Sequence, residues 1–169
     1  MHPEQRSQCK HVACQCACFN LRKVARLVTQ VFDRHLAEHG LKSTQFTLLV
    51  ATALGRSTSV TRLAQALVMD RTTVTRNLRP LEKDGLVRIG LGSNMRTRSV
   101  TLTAKGEALV QAGIEPWNRA QGEIVQAFGE DRWSRLLADL NQMGVAVNGL
   151  RSRAADDARS SQQVSDRLQ

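Results

Sequence analysis

Apolar residues recur at three- and four-residue spacing over the first part of the chain, a pattern that predicts amphipathic helices. The first helix covers about residues 16–40 and ends at Gly40. A second begins at Ser43, a residue type that often caps helices. The apolar positions of its predicted buried face are Phe46, Leu49, Val50, Ala53 and Leu54.

Shorter elements follow. A helix from Val60 to about Leu67 precedes a three-residue turn, after which another helix starts at Arg71. The predicted inward positions of this later helix are Val74, Leu78 and Leu81. Two short helices joined by so short a turn predict a helix-turn-helix.

After Gly85 the pattern changes to the alternation that is typical of β-strands. It predicts a hairpin over about residues 87–102 with a basic tip, since Arg96 and Arg98 lie there. The expected fold class is therefore mainly α with a small β-hairpin wing. The helix-turn-helix and the hairpin together form a predicted winged helix-turn-helix lobe over residues 43–102.

The segments outside this lobe are interpreted from their apolar stripes. The ranges 16–40 and 104–150 carry stripes that a small central lobe cannot bury alone, so they are predicted to form a helical dimerisation region. Residues 1–15 are predicted to be a flexible Cys-containing segment. Residues 151–169 have no periodic face and are predicted to be a disordered tail.

The net charge and its distribution along the chain indicate the kind of partner. The chain has 24 Lys and Arg against 15 Asp and Glu, a formal net charge of +9 that favours a polyanionic partner. Between Asp70 and Val100, seven basic residues stand against three acidic ones, whereas residues 103–150 contain four basic and six acidic residues. We therefore expect the middle of the chain to face nucleic acid.

The helix that starts at Arg71 carries side chains suited to the major groove of double-stranded DNA. Arginine donates to acceptors on base edges, and the threonine methyl group contacts that of thymine. Arginines of the hairpin can reach the backbone or the neighbouring minor groove. The predicted DNA-binding residues are Arg71, Thr72, Thr73, Thr75, Arg76, Arg79, Arg96 and Arg98. An ordinary solvated helix face is the alternative interpretation.

Two stretches resemble the MarR family (multiple antibiotic resistance regulators). They read LAQALVMDRTTVTRNLRPLEKDGLV at 63–87 and NMRTRSVTLTAKG at 94–106, and the likeness extends over about residues 16–150. The resemblance implies a homodimer whose first and last helices interlock. It also implies two winged lobes on a pseudo-palindromic operator, commonly as a repressor.

The same resemblance implies roles for single residues. It makes Arg71 to Arg76 the base-reading turn, Arg79 a backbone contact and Arg96 the wing arginine. The family often has an acidic residue two positions before that arginine, where this chain has Asn94. The ion pair that usually orients the wing tip is therefore expected to be missing.

All four cysteines lie within ten residues of one another, a poor layout for a disulfide framework. They are Cys9, Cys14, Cys16 and Cys18. Three interpretations stay open: thiols that pack at the dimer interface, a sensor of oxidants or electrophiles, or a site for a thiophilic metal such as Cu(I). Three thiols meet only on nonhelical backbone, because Cys14 and Cys18 share a helix face that Cys16 does not.

Other effectors are equally open. The family resemblance implies a small aromatic ligand between the dimer helices and the winged lobe. His35 and His39 fall at i, i+4, but no third metal ligand is in view, so they are interpreted as solvated helix residues. No cofactor is predicted.

Several classes are disfavoured. No stretch reaches the roughly 18 apolar residues of a membrane span, and the polar start lacks the apolar core of a secretory signal, so the protein is predicted to be cytoplasmic. The motifs G-x-S-x-G, H-E-x-x-H and a glycine-rich phosphate loop do not occur, so no enzyme is predicted. A nonspecific nucleic-acid-binding protein and, less favoured, a Cys-dependent enzyme are the alternatives.

Overall fold

Helices account for most of the chain. The computed structural model describes residues 2–55, 58–91 and 98–167, with side chains up to residue 153. The helices are α1 (Pro3–Gln15), α2 (Ala17–Leu36), α3 (Ser43–Leu54), α4 (Val60–Ala66), α5 (Arg71–Lys83), α6 (Ala104–Phe128) and α7 (Glu130–Arg167), and the strands are β1 (Thr58–Ser59), β2 (Val87–Leu91) and β3 (Arg98–Leu102). The predicted fold class, mainly helical with a small β wing, is confirmed.

The strands form a three-stranded antiparallel sheet in the order β1-β3-β2. In the predicted hairpin, Ile89 pairs with Val100. Strand β1 adds a third strand, and so a second ladder, through Thr58, which also pairs with Val100. Sequence analysis missed β1 because two residues are too short for an alternation pattern to show. Residues 92–97, with the predicted wing residues Arg96 and Asn94, lie outside the described residues.

The chain divides into two units, Met1–Gly122 and Glu123–Gln169. The hydrophobic core of the first unit contains residues from α2, α3, α4, α5, β2 and β3. Val74, Leu78 and Leu81 of α5 are fully buried, which confirms the predicted inward face of that helix. In the second unit Gly129, with φ +96°, separates α6 from α7, and the Arg132 guanidinium lies 4.4 Å from the centre of the Phe128 ring.

The predicted buried face of α3 is partly wrong. Phe46 and Leu49 are buried, but so are Leu48 and Thr52, whereas Leu54 is 84% exposed. A buried threonine is tolerated because its hydroxyl donates to the Leu48 carbonyl at 2.8 Å. A pattern search for apolar residues overlooks this polar position.

The start of α6 is tied closely to the lobe. As predicted, Thr103 caps the helix, since its hydroxyl accepts the Gly106 N–H at 3.1 Å. The same hydroxyl donates to the Gly85 carbonyl at 2.6 Å. A side chain on Gly106 would place its Cβ 2.0 Å from the Leu86 carbonyl oxygen, so only glycine allows this contact.

Both ends of the chain differ from expectation. The segment predicted to be flexible contains α1, which starts with Pro3 at the position where a fixed φ suits a helix. Helix α7 continues to Arg167 through the predicted tail. Extending an existing helix avoids the nucleation cost, so this segment needs no apolar face of its own to be helical. No helix within the described ranges combines the length and hydropathy of a membrane span.

Helices α4 and α5 end in the same backbone motif, in which a residue with positive φ follows the helix. After α5 that residue is Gly85, φ +69°, and the Leu86 N–H bonds to the Leu81 carbonyl. After α4 it is Val68, φ +51°, the single positive-φ residue other than glycine in the described part of the chain. A left-handed β-branched residue is strained, so the turn of the helix-turn-helix stores conformational energy.

We therefore expect Val68→Gly to raise the free energy of unfolding by roughly 0.5–1 kcal/mol, the relieved strain less the greater unfolded-chain entropy of glycine. Val68 is exposed, so little packing is lost. Chemical denaturation measures the change. As the matched control, Gly85→Ala has open space around its new Cβ and should lose stability through strain alone. A less stable Val68→Gly variant would contradict a strained turn.

Candidate nucleic-acid interface

Helix α5 begins at a well-formed cap. Asp70 has extended backbone, and its Oδ1 accepts the Thr73 N–H at 2.8 Å. Its Oδ2 accepts a hydrogen bond from the Thr73 hydroxyl. These two bonds from Thr73 hold the pKa of the Asp70 carboxyl below its usual value, because both favour the charged form. Asp70 thus caps the N-terminus of α5 through Thr73, a residue of the first turn.

The outward face of α5 forms an open cleft of about 590 Å³. The residues that line it are Arg71, Thr72, Thr75, Arg76 and Arg79. They lie on the side of the helix opposite Val74, Leu78 and Leu81, which are buried. All three arginines are exposed, so the cleft presents guanidinium groups and threonine side chains along about two turns of helix.

Thr73 is the predicted DNA-binding residue of α5 that the structure separates from the others. It does not line the cleft, and its hydroxyl is engaged by Asp70. The spacing of Asp70 and Thr73 is that of an N-cap and the residue whose N–H it accepts, which is the sequence signal for this capping role. Thr75 does line the cleft, with its hydroxyl donating to the Arg71 carbonyl at 2.7 Å.

The wing contributes two predicted arginines, of which one is described. Arg98 is exposed at the start of β3, where it pairs with Leu91 at the end of β2. Arg96 lies outside the described residues. Arg88 on β2, opposite Thr101, is a further exposed arginine of the wing that sequence analysis did not single out.

A second, smaller cleft of about 270 Å³ lies among α2, α3 and α6. Its walls combine two aromatic rings with aliphatic side chains and hydroxyls: Val28, Thr29, Phe32, Leu36, Ser43, Thr44, Phe46, Thr47 and Trp117. The ring centres of Phe32 and Trp117 are 6.2 Å apart, with the planes tilted by 35°. The Asp33 carboxylate of α2 accepts the N–H of Ser43, one of the lining residues, at 2.6 Å, and so links α2 to the start of α3.

The four cysteines lie around the junction of α1 and α2 and are unpaired thiols. Cys9 and Cys14 belong to α1, Cys18 belongs to α2, and Cys16 is the nonhelical residue between them. The Cys16 sulfur accepts the Phe19 N–H at 3.4 Å and so caps α2. The nonhelical backbone that a three-thiol site requires is therefore limited to one residue.

Asn20 closes this junction, since its amide donates to the carbonyls of Ala13, Cys14 and Cys16 at 3.0–3.3 Å. No three His, Cys, Asp or Glu side chains in the described part of the chain form a group able to hold a metal. Helix α2 ends at Leu36, so His39 lies in a 3-10 turn, where its Nε2 is 3.6 Å from Glu38. The predicted i, i+4 histidine pair thus spans the end of the helix.

The fold and the basic face of α5 define a winged helix-turn-helix regulator. A sequence model of the MarR family matches residues 39–91. The chain is 27% identical over 128 residues to the HTH-type transcriptional regulator PecS of Dickeya dadantii (strain 3937), covering 73% of this chain and 76% of PecS.

Solved structures agree with this match. The transcriptional regulator MosR of M. tuberculosis, in a complex with DNA, is 36% identical with a TM-score of 0.74, covering 81% of this chain and 99% of MosR. A mutant MarR from E. coli complexed with operator DNA has the same fold, with a TM-score of 0.72 at 18% identity, covering 78% of this chain and 96% of that one. The protein belongs to the MarR family, and its fold and homologues are those of transcription regulators, not of enzymes.

The Asp70 cap makes a pH-dependent contribution to stability. Because the pKa of Asp70 is depressed in the folded state, its contribution is present above the unfolded-state pKa and is lost as pH falls through the folded-state pKa. We expect Asp70→Ala to lower the thermal midpoint at pH 7 and to match the wild type in strong acid. Thermal unfolding across pH measures this. Asp70→Asn, which keeps an accepting oxygen, is the control. If Asp70→Ala lowered the thermal midpoint by the same amount at every pH, a charged cap would be contradicted.

Proposed function

We propose that this protein is a sequence-specific DNA-binding transcription regulator that acts as a homodimer on a pseudo-palindromic operator, as a repressor in the cytoplasm. The observation that carries the proposal is the cleft along α5, where Arg71, Arg76 and Arg79 are presented together with threonine side chains. Arginine suits guanine edges and phosphates, and threonine suits thymine methyl groups, so this face has the chemistry of a major-groove reader. Repression is the mode that the family resemblance implies.

The division of the chain follows from this proposal. Residues 43–102 would form the DNA-binding lobe. Residues 16–40 and 104–150 would form the dimerisation region. Helix α2 exposes 42–55% of Leu21, Val24 and Leu27, and α7 exposes 38–63% of Leu137, Leu140, Met143, Val147 and Leu150. Exposed apolar stripes of this length support association with a second copy of the chain.

We expect a solution mass of twice 18.7 kDa, measured by light scattering at several concentrations. Leu140→Asp should shift the protein towards the monomer, because a charge would replace an apolar contact of the dimer. Val145→Asp is the matched control, since Val145 is 76% exposed and lies outside the stripe. A wild-type monomer at every concentration would refute the dimer.

Release from DNA would follow a chemical signal, and three sources are proposed. The cleft of Phe32 and Trp117 supports a small aromatic ligand, because two tilted rings and several hydroxyls can stack on and orient such a molecule. The exposed thiols of Cys9, Cys14 and Cys18 support an oxidant. A thiophilic metal would require these thiols to move together, because the described residues group no three His, Cys, Asp or Glu side chains. These sources are separable by experiment.

Fluorescence anisotropy of the reduced protein on a duplex from upstream of its own gene, against a scrambled duplex, tests the function. We expect a preference of about 10³ or more for the upstream duplex. Equal, salt-sensitive binding to both would leave a nonspecific nucleic-acid-binding protein. Loss of binding after mild peroxide, restored by a reductant, assigns the signal to oxidation of the thiols. Indifference to peroxide leaves a ligand of the aromatic-lined cleft or a thiophilic metal, and titration with Cu(I) under reducing conditions separates these two.

Two variants in the same titration examine the assigned residues. Arg76→Ala should relax the base preference at one step of each half-site, at a cost of about 1–3 kcal/mol for a lost base contact. Arg96→Ala should weaken binding to all sequences about equally. The reverse pattern would mean that α5 and the wing exchange these roles.

A further inference from the structure

A third cleft, of about 330 Å³, lies between the first turn of α3 and the second half of α5. Its lining residues are Lys42, Thr44, Gln45, Leu48, Arg76, Asn77 and Pro80. None of them was predicted to bind DNA except Arg76. Arg76 also lines the cleft along the outward face of α5, so the two clefts share a wall.

The polar groups of this cleft are mainly hydrogen-bond donors. Lys42 contributes an ammonium and Arg76 a guanidinium, and no aspartate or glutamate lines the cleft. The Gln45 side-chain oxygen accepts the Lys42 backbone N–H at 2.9 Å, so the polar group that Gln45 can offer a ligand is its side-chain NH2, a donor. Asn77 has a second amide, and Thr44 a hydroxyl. This combination suits an anion with several oxygens.

We propose that this cleft binds a phosphate of the DNA backbone beside the major groove entered by α5, with Lys42 as its principal charge. The inference rests on the proposed function and extends the contact from the recognition helix to α3. Arg76 lies on the boundary of the two clefts, so a strand that follows the edge of the groove passes from Arg76 to Lys42. Leu48 and Pro80 supply the apolar part of the lining.

A phosphate contact has a signature distinct from base reading. Each neutralised phosphate contributes about −0.9 to the slope of log K against log salt concentration, and it does so for every sequence. In a dimer, Lys42→Gln should therefore make this slope less negative by about 1.8, because two phosphate contacts are lost. The variant should bind much more weakly than the wild type at 50 mM salt, and the ratio of their affinities should fall roughly tenfold by 200 mM salt. The ratio of affinities for upstream and scrambled duplexes should stay unchanged.

The titration uses the full chain and the upstream duplex, with Lys10→Gln as the control. Lys10 is an exposed lysine of α1, so its loss changes the net charge equally without touching the cleft. Lys42→Arg should restore the slope, and Asn77→Asp, which adds a carboxylate to the cleft, should weaken binding to both duplexes. Matching thermal midpoints of wild type and Lys42→Gln verify folding.

The outcomes separate the two proposals. If the wild type prefers its upstream duplex but Lys42→Gln keeps the wild-type slope, the phosphate site is wrong and the proposed function stands. If the wild type binds both duplexes equally and Lys42→Gln still makes the slope less negative, the site stands and sequence-specific regulation fails. No binding of the wild type to either duplex would overturn both.

Discussion

The burial of one face of α5 is the constraint on which the rest of the molecule depends. Val74, Leu78 and Leu81 have no exposed surface, so the helix cannot rotate without opening the core of the lobe. This orientation leaves the arginines and threonines of the opposite face in one open cleft. The arginine and threonine side chains of this cleft thereby acquire a fixed position relative to the core.

The first turn of α3 lies where two other clefts meet. Thr44 lines both the aromatic-walled cleft among α2, α3 and α6 and the basic cleft beside α5. Asp33 of α2 accepts the N–H of the neighbouring Ser43 and so joins α2 to this turn. A ligand that moved this turn would also move Lys42, and this would link the proposed effector cleft to the proposed phosphate site.

How far the sequence predicted the molecule depended on what each pattern records. The inward face of α5 was predicted correctly because its apolar residues recur at i, i+4 and i+7 among strongly polar ones. Thr103 was predicted because a capping residue has a local signature. The face of α3 was partly wrong, because Thr52 is buried through a hydrogen bond to Leu48 that a hydropathy pattern does not contain. Helix α1 and the end of α7 were missed for lack of an apolar stripe.

The sequence by itself determined the class of fold, the position of the helix-turn-helix and the family, since these depend on residue order and local spacing. Only the tertiary structure decided which side chains share a surface. It removed Thr73 from the α5 cleft through the Asp70 cap, and it brought Lys42 beside Arg76 across 34 positions of sequence. Local spacing describes one element at a time, whereas a cleft is made where separate elements pack, so its lining follows from the shape of the core.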